Sequence, residues 1–318
     1  PHAEAIAIQM AKNKCHGATM YVTLEPCCHQ GETPPCVDAI LNSGIKRIVC
    51  PLSDPDKRVS GKGFKLLSEN GLKIDLIADL EQQARNVVAG FISRLTRKRP
   101  FITLKLGTSI DGRIATTTGQ SKWVTNLQSR ERVQLLRLKH DAILVGTGTF
   151  INDRPKLDLR GRFESFNSPM RIYLDKTLKV CPSKTDIENM KKHPSVVAFG
   201  TDYNHDNFDL WKEANVELIQ IHENKEKLDL HDLFRKLSEK KINSVLVEGG
   251  GGIASTLISE KLVDKLVMFT SNIVIGSDGK PAFNNPKAQS NLLDECASFS
   301  LSFVVKHSEN IETVWIPK

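Results

Sequence analysis

The segment Glu25-Pro26-Cys27-Cys28-His29-Gln30-Gly31-Glu32-Thr33-Pro34-Pro35-Cys36, preceded one strand earlier by His2-Ala3-Glu4, decides how the first part of this chain reads. The imidazole of His2 and the thiols of Cys27 and Cys36 are three soft-to-borderline ligands, leaving a fourth tetrahedral position on Zn²⁺ for water. Glu4, two residues past the histidine, is placed to move protons rather than to bind metal. Zn²⁺ lowers the pKa of its bound water toward about 7, and Glu4 can take that proton and return it to a leaving group. Cys36 follows Pro34-Pro35 at an expected helix start, where the helix dipole favours thiolate. Taken singly, His2 reads as a surface or capping histidine and Cys28 as a packed thiol. His29 either lines the site or caps a turn.

Composition sets wider bounds. A chain of 318 residues with 40% apolar content is expected to form two domains, each with its own core. No apolar run is long enough to span a bilayer, and Pro1-His2-Ala3-Glu4 lacks the basic start and apolar stretch of a signal peptide. Seven cysteines, with Cys15, Cys50, Cys181 and Cys296 scattered, do not form a disulfide scaffold; a reducing compartment, the cytoplasm, is expected. The formal charge of +7 is spread along the chain without interleaved aromatics, as on solvated helix faces rather than a nucleic-acid platform.

Residues 1–98 read as α/β. Helices are expected over His2–Lys14, Pro34–Ser43, Gly63–Asn70 and Leu80 to about Arg94, and strands over Thr19–Leu24, Lys46–Leu52 and Lys73–Ala78. The basic, proline-ended stretch Arg97-Lys98-Arg99-Pro100 marks the boundary to a second domain, residues 99–318. There the strand candidates are Phe101–Leu106, Ala142–Gly146, Arg171–Asp175, Ser195–Phe199, Val216–Ile221, Ser244–Val247 and Lys265–Ile275. Helices lie between them, notably Leu127–Lys139, Leu230–Lys241 and Ile253–Lys261, and Phe299–Val305 with Ile311–Ile316 form a terminal hairpin. Such alternation implies a mostly parallel sheet with an antiparallel end.

A second constellation lies in this half. Lys105-Leu106-Gly107 ends a strand, and Val247-Glu248-Gly249-Gly250-Gly251-Gly252 ends another and opens a helix. Such a glycine run lets backbone amides approach a pyrophosphate at a helix N-terminus, although it lacks the G-x-G-x-x-G spacing. Arg137 and Arg160 read as bidentate phosphate donors, with a surface charge as the alternative for Arg137. Trp123 reads equally as core or as cofactor contact.

H-x-E followed by P-C and a second cysteine is the arrangement of the zinc deaminases, whose usual cysteine pair is only two residues apart. With both constellations in one chain, the sequence resembles the bifunctional deaminase–reductase family of riboflavin biosynthesis. HAE, YVTLEPC, GxTPPC, KLGTSIDGRIA, SKWVT, DAILVGTGT and LVEGG occur in the family order across nearly the whole chain. The resemblance implies a cytidine-deaminase-like domain followed by a dihydrofolate-reductase-like α/β domain. It implies zinc-dependent deamination of a diamino-ribosylamino-pyrimidinone phosphate, then NADPH-dependent reduction of its ribosyl group to ribityl. By resemblance His2, Cys27 and Cys36 match the zinc ligands and Glu4 the proton shuttle. Lys105, Ser121, Arg137, Leu157, Arg160 and Glu248 match substrate positions. Gly107, Trp123, Thr149, Asp153 and Gly250, Gly251, Gly252, Ile253, Ala254, Ser255 and Thr256 match the NADPH side. Lys105, Asp153 or Glu248 handles the proton of the reduction.

Two departures from the family pattern carry expectations. In family members a further helix and two strands precede the His2-Ala3-Glu4 motif, so the deaminase-like domain is expected to lack its first strands. Glu32 stands where the family carries lysine or arginine, and a carboxylate cannot pair with a substrate phosphate. An alternative is a reductase whose zinc domain is catalytically inactive. The expected partner is a phosphorylated pyrimidine, with no nucleic acid and no membrane. Sequence leaves the oligomeric state open, a homo-oligomer being one reading.

Overall fold

The computed structural model describes residues 2–31, 33–56, 58–214, 216–224, 227–283 and 295–318; Glu32, the acidic departure noted above, lies outside them. The chain divides into two compact units, residues 1–98 and 99–318.

In the first unit, helix α1 (Ala3–Ala11) leads through a 3₁₀ turn to strand β1 (Thr19–Tyr21). Helix α2 (Cys36–Ser43), β2 (Arg47–Cys50), α3 (Lys62–Glu69), β3 (Lys73–Leu76), α4 (Glu81–Val87) and α5 (Ala89–Arg97) follow. The strands form a parallel sheet in the order β1-β2-β3. Its core gathers Val37 and Ile40 of α2, Ile48 and Cys50 of β2, and Leu67 of α3. Gly44 closes α2 at φ +79°, a left-handed position that favours glycine, with His16 already packed against it. The helix expected over Leu80 to Arg94 is two helices, because Val88, at φ −101° and ψ 17°, leaves helical geometry between α4 and α5. Lys98, left-handed at φ 56°, ends α5 at the basic boundary stretch.

The second unit opens with β4 (Phe101–Thr108), β5 (Arg113–Ala115), α6 (Leu127–Leu138), β6 (Ala142–Gly146) and α7 (Thr147–Asp153). Next come β7 (Met170–Leu174), α8 (Lys184–Lys191), β8 (Ser195–Phe199), α9 (His205–Glu213) and β9 (Glu217–Gln220). A small hairpin of β10 (Glu223–Asn224) and β11 (Lys227–Leu228) precedes α10 (Leu230–Glu239), β12 (Ser244–Val247), α11 (Gly251–Ser259) and β13 (Lys265–Thr270). The chain ends with β14 (Lys280–Pro281), which pairs with β5, and the hairpin β15 (Phe299–His307) and β16 (Asn310–Pro317).

Among the described residues these strands build a nine-stranded sheet in the order β15-β16-β13-β4-β12-β6-β7-β8-β9. It is parallel except for the terminal hairpin, matching the expected antiparallel end. Period-two alternation explains why both faces are buried. Ile102, Leu104, Leu144, Val245 and Val247 face α10 and α11, whereas Ile143, Val145, Tyr173 and Val197 face Phe150 and Trp211. On that second side, Leu246, Val267 and Phe269 pack against Val133 and Leu136 of α6.

β13 stops at Thr270, short of the expected Ile275. Beyond it the chain wraps onto the turn after β4: Ile110 donates to the Ile273 carbonyl, and Ile275 and Gly276 donate to Asp111. The central order β4-β12-β6 matters most for function. The chain leaves β4 for β6, runs outward to β9, then returns to insert β12 between them. Open parallel sheets bind ligands outside the carboxyl ends of the strands at such a switch point.

Candidate active sites

In the first unit the ligand-bearing segments converge at two helix starts. His2 is the N-cap residue of α1, and Glu4 stands in its first turn. Cys36 begins α2 directly after Pro35, and its backbone N–H donates to Cys27 Sγ at 3.3 Å while Val37 N–H donates to the Cys27 carbonyl. His2 Nδ1 lies 3.4 Å from Cys27 Sγ and 3.3 Å from Cys36 Sγ, and all three ligand atoms lie within 4.8 Å of one another. Zinc bonds of about 2.0 Å to nitrogen and 2.3 Å to sulfur put tetrahedral ligand atoms about 3.5 Å apart, so this donor set fits Zn²⁺. Cys36 is buried and His2 exposed, which leaves the site open on the histidine side. Burial, with the Glu4 and Cys27 charges, pushes the Cys36 thiol up, and a bound dication would reverse that bias. The thiol donates to Glu4 Oε2 at 3.5 Å, so the carboxylate lies beside the ligands.

Cys28 packs against the domain core and points its thiol at the Arg58 carbonyl, outside the ligand cluster. His29 Nδ1 is buried with no hydrogen-bond partner among the described residues, and its ring acts on the carboxyls of Asp54 and Asp56. Glu25 is 2% exposed and accepts backbone N–H bonds from Asp54, Gly61, Gly63 and Phe64. It thus ties the loop before α3 beneath the cysteine segment. A Cβ on Gly63 would come within 2.2 Å of the Pro26 carbonyl, so that close approach requires glycine.

In the second unit the carboxyl ends of β4, β12 and β6 open on a cavity of ≈1320 Å³. Lys105, Gly107, Ser121, Trp123, Arg137, Thr149 and Asp153 line it. So do Leu157, Arg160, Glu248, Gly250, Gly251, Gly252 and Ile253. Ala254, Ser255 and Thr256 do not. Ala254 and Ser255 are buried within α11, and the Thr256 hydroxyl donates to the Gly252 carbonyl of its own helix. Of α11, only the first turn, up to Ile253, lines the cavity. Trp123 is 67% exposed, its ring under the Arg130 guanidinium at 4.2 Å, so it belongs to the cavity rather than the core.

The floor is a charged triad. Arg137 Nε and Nη2 fork onto Glu248 Oε1 and Oε2 at 2.7 and 3.1 Å, and its Nη1 donates to the Asp158 carbonyl at 2.9 Å. The fork read from sequence as a phosphate donor is thus occupied by Glu248, because α6 brings Arg137 directly over the end of β12. Glu248 is held below the usual carboxylate range; burial opposes this, and the Arg137 and Lys105 charges overcome it. Burial pushes Lys105 down, Glu248 pulls it back up, and Arg137 adds to the depression. Removing Arg137 would leave the buried Glu248 carboxylate without its hydrogen-bonded partner and with only Lys105 to balance it, a loss of up to about 3–5 kcal/mol. Arg137→Ala is therefore expected to lower the denaturation midpoint at neutral pH. The pair contributes above the ordinary carboxylate value of 4.5 and is lost as pH falls through the depressed folded value, so the deficit shrinks in acid. Urea titrations at two pH values measure it; a deficit equal at both would contradict the pairing.

Two glycine-bearing turns line this cavity, Gly146-Thr147-Gly148, whose Thr147 hydroxyl donates to the Leu174 carbonyl, and Gly249-Gly250-Gly251-Gly252. A Cβ on Gly146, Gly148 or Gly252 would meet nothing within 4 Å, and one on Gly250 would meet only Ile114 at 4.0 Å. These turns start α7 and α11 and leave backbone amides open to the cavity, a cradle that fits the diphosphate of a dinucleotide.

A His/Cys/Cys cluster that fits zinc in one unit and a cavity fitting a dinucleotide at the switch point of the other mark an enzyme with two sites. Residues 1–52 match the cytidine and deoxycytidylate deaminase zinc-binding region, and residues 100–316 match the RibD C-terminal domain. The riboflavin biosynthesis protein RibD of Aquifex aeolicus is 38% identical over 276 residues, covering 87% of this chain and 75% of that protein. The solved structure of Acinetobacter baumannii RibD superposes with a TM-score of 0.85 at 30% identity, covering 100% of this chain and 86% of that one. A Thermotoga maritima structure described as a diaminohydroxyphosphoribosylaminopyrimidine deaminase/5-amino-6-(5-phosphoribosylamino)uracil reductase gives 0.83 at 30% identity, covering 100% and 85%. The chain belongs to the RibD family, the bifunctional deaminase–reductases of riboflavin biosynthesis.

Proposed function

We propose that the first unit deaminates a diamino-ribosylamino-pyrimidinone phosphate and that the second reduces the ribosyl group of the product to ribityl. The observation that carries the reading is the Lys105–Glu248–Arg137 triad beside two glycine-bearing turns, in a cavity large enough for a dinucleotide and a small substrate. His2, Cys27 and Cys36 would hold zinc, which when bound supplies Lewis acidity that makes water acidic near neutral pH. Glu4, beside the ligands, takes the water proton on a carboxylate oxygen and passes it to the ring nitrogen and then to the departing amine. His29, with its orphan Nδ1, is suited to a substrate acceptor.

Gly107, Thr149, Asp153, Gly250, Gly251, Gly252 and Ile253, with Trp123 at the rim, would hold NADPH, which supplies the hydride to C1′ of the ring-opened imine. The imine nitrogen then gains a proton. Of the three candidates, Lys105 best fits the donor: Glu248 is kept ionised by Arg137, whereas burial weakens the hold of Lys105 on its proton. Glu248 in turn keeps Lys105 charged. Ser121 and Leu157 border the ribosyl chain, and Arg160 presents a guanidinium to the phosphate.

The substrate is thus a small molecule and not a nucleic acid. Seven cysteines, two of them zinc-ligand candidates, support a reducing, cytoplasmic setting. Among the described residues no helix is long and apolar enough to cross a membrane. The edge strand β15 exposes Leu301, Phe303 and Val304, which supports a homo-oligomer. The test supplies the zinc-loaded chain with the diamino substrate and NADPH and follows ammonia and NADPH together. Ammonia release followed by NADPH consumption is expected. NADPH consumption only with the pre-deaminated substrate would overturn the deaminase reading.

A further inference from the structure

In the irregular segment after α7, Leu157 and Leu159 are 1% and 4% exposed, whereas Asp158 is half-buried and Arg160 exposed. There Asp158 Oδ1 accepts Arg160 Nε at 2.6 Å. The same residue's carbonyl accepts Arg137 Nη1, and Arg160 N–H donates to Gln134 Oε1 at 3.1 Å, one turn of α6 before Arg137. Asp158 therefore meets one arginine through its main chain and the other through its side chain, which fixes the two guanidiniums relative to each other. Beneath it lies Arg171, fully buried, whose Nε and Nη2 have no hydrogen-bond partner among the described residues and which feels the Asp158 charge.

We propose that Asp158 is a positioning residue for the substrate phosphate: it grips Arg160 by Nε and leaves the opposite, two-nitrogen edge of that guanidinium toward the cavity. This rests on the reading of the cavity as a site for a phosphorylated ribosyl substrate. Arg160 is 55% exposed at its side chain, so without the grip it would sample many rotamers and would have to be ordered on binding. Ordering such a side chain costs about 0.5–1.5 kcal/mol, or roughly 2- to 12-fold in affinity. Asp158 removes that cost in advance, and its contribution passes through Arg160 rather than through the reacting carbon.

The test compares KM and kcat of NADPH-dependent reduction for the deaminated ribosylamino-pyrimidine phosphate and for its dephosphorylated form. Asp158→Ala is expected to raise KM for the phosphorylated substrate roughly 2- to 12-fold, with kcat, NADPH affinity and KM for the dephosphorylated form unchanged. Asp158→Asn retains an acceptor for Arg160 Nε and should restore most of the loss, which also covers the case that the alanine variant folds poorly. In an Arg160→Ala background, Asp158→Ala should add nothing. Additive losses in the double variant, or equal losses with both substrates, would overturn the positioning role. A parent enzyme indifferent to the phosphate would overturn the underlying reading of the cavity instead.

Discussion

Lys105→Met is expected to slow reduction by about 10²- to 10⁴-fold, the usual range for a general acid, while NADPH affinity stays that of the parent chain. Methionine matches the length and apolar stem of lysine and removes only the ammonium, so the packing at the end of β4 survives. Lys105 lies 5.9 Å over the Phe269 ring, in the field of Glu248 and Arg137, and has no other source of charge balance nearby among the described residues. Its proton is held less tightly than the ordinary lysine value of 10.5, because burial outweighs the pull of Glu248. Reduction that needs protonated Lys105 should fall as pH rises through a limb below 10.5. Glu248→Gln removes the charge that pulls the lysine up, so the limb should move further toward acid. Stopped-flow rates across pH for parent and variant check the sign. A limb that moves toward base, or a Lys105→Met chain with unimpaired hydride transfer, would remove Lys105 from the chemistry.

The second large effect belongs to the first unit. Glu4→Gln should lower deamination by about 10²- to 10⁴-fold without loss of zinc, since Glu4 stands beside the ligands and not among the three grouped atoms. Glutamine keeps the shape and hydrogen-bonding reach of the side chain but cannot carry the proton. Cys36→Ser is the contrast: it removes a ligand, and zinc content should drop with activity. Metal analysis of both variants separates the roles. Zinc loss from Glu4→Gln would make the glutamate a ligand, and retained turnover would deny it the proton.

How far these sites could be read from sequence depended on how local their determinants are. The buried parallel strands Ala142–Gly146 and Ser195–Phe199 announce themselves as apolar runs covered on both faces, and each forms over the expected residues. The cluster of His2, Cys27 and Cys36 was legible because the motif spells it in two short segments. The Arg137–Glu248 pair was not, since the partners are 111 residues apart and meet only because β12 inserts between β4 and β6. Reading Arg137 as a phosphate fork was natural for an isolated arginine on a helix and fails once its partner is in place. The sequence likewise marks where α11 starts but not that its Ala254 and Ser255 side is buried. Glu25 was quoted within the motif without a role, and only the folded loop shows four backbone amides converging on it. His29 stayed open between pocket and turn because an orphan buried nitrogen has no sequence signature.

The measurement that bears most directly on the account is NADPH oxidation by this 318-residue chain supplied with the already deaminated ribosylamino-pyrimidine phosphate. Steady turnover is expected, with the ribityl product formed in equal amount and the activity lost in Lys105→Met. A folded chain that binds NADPH yet leaves both substrates unchanged would contradict the assignment of the second unit's cavity.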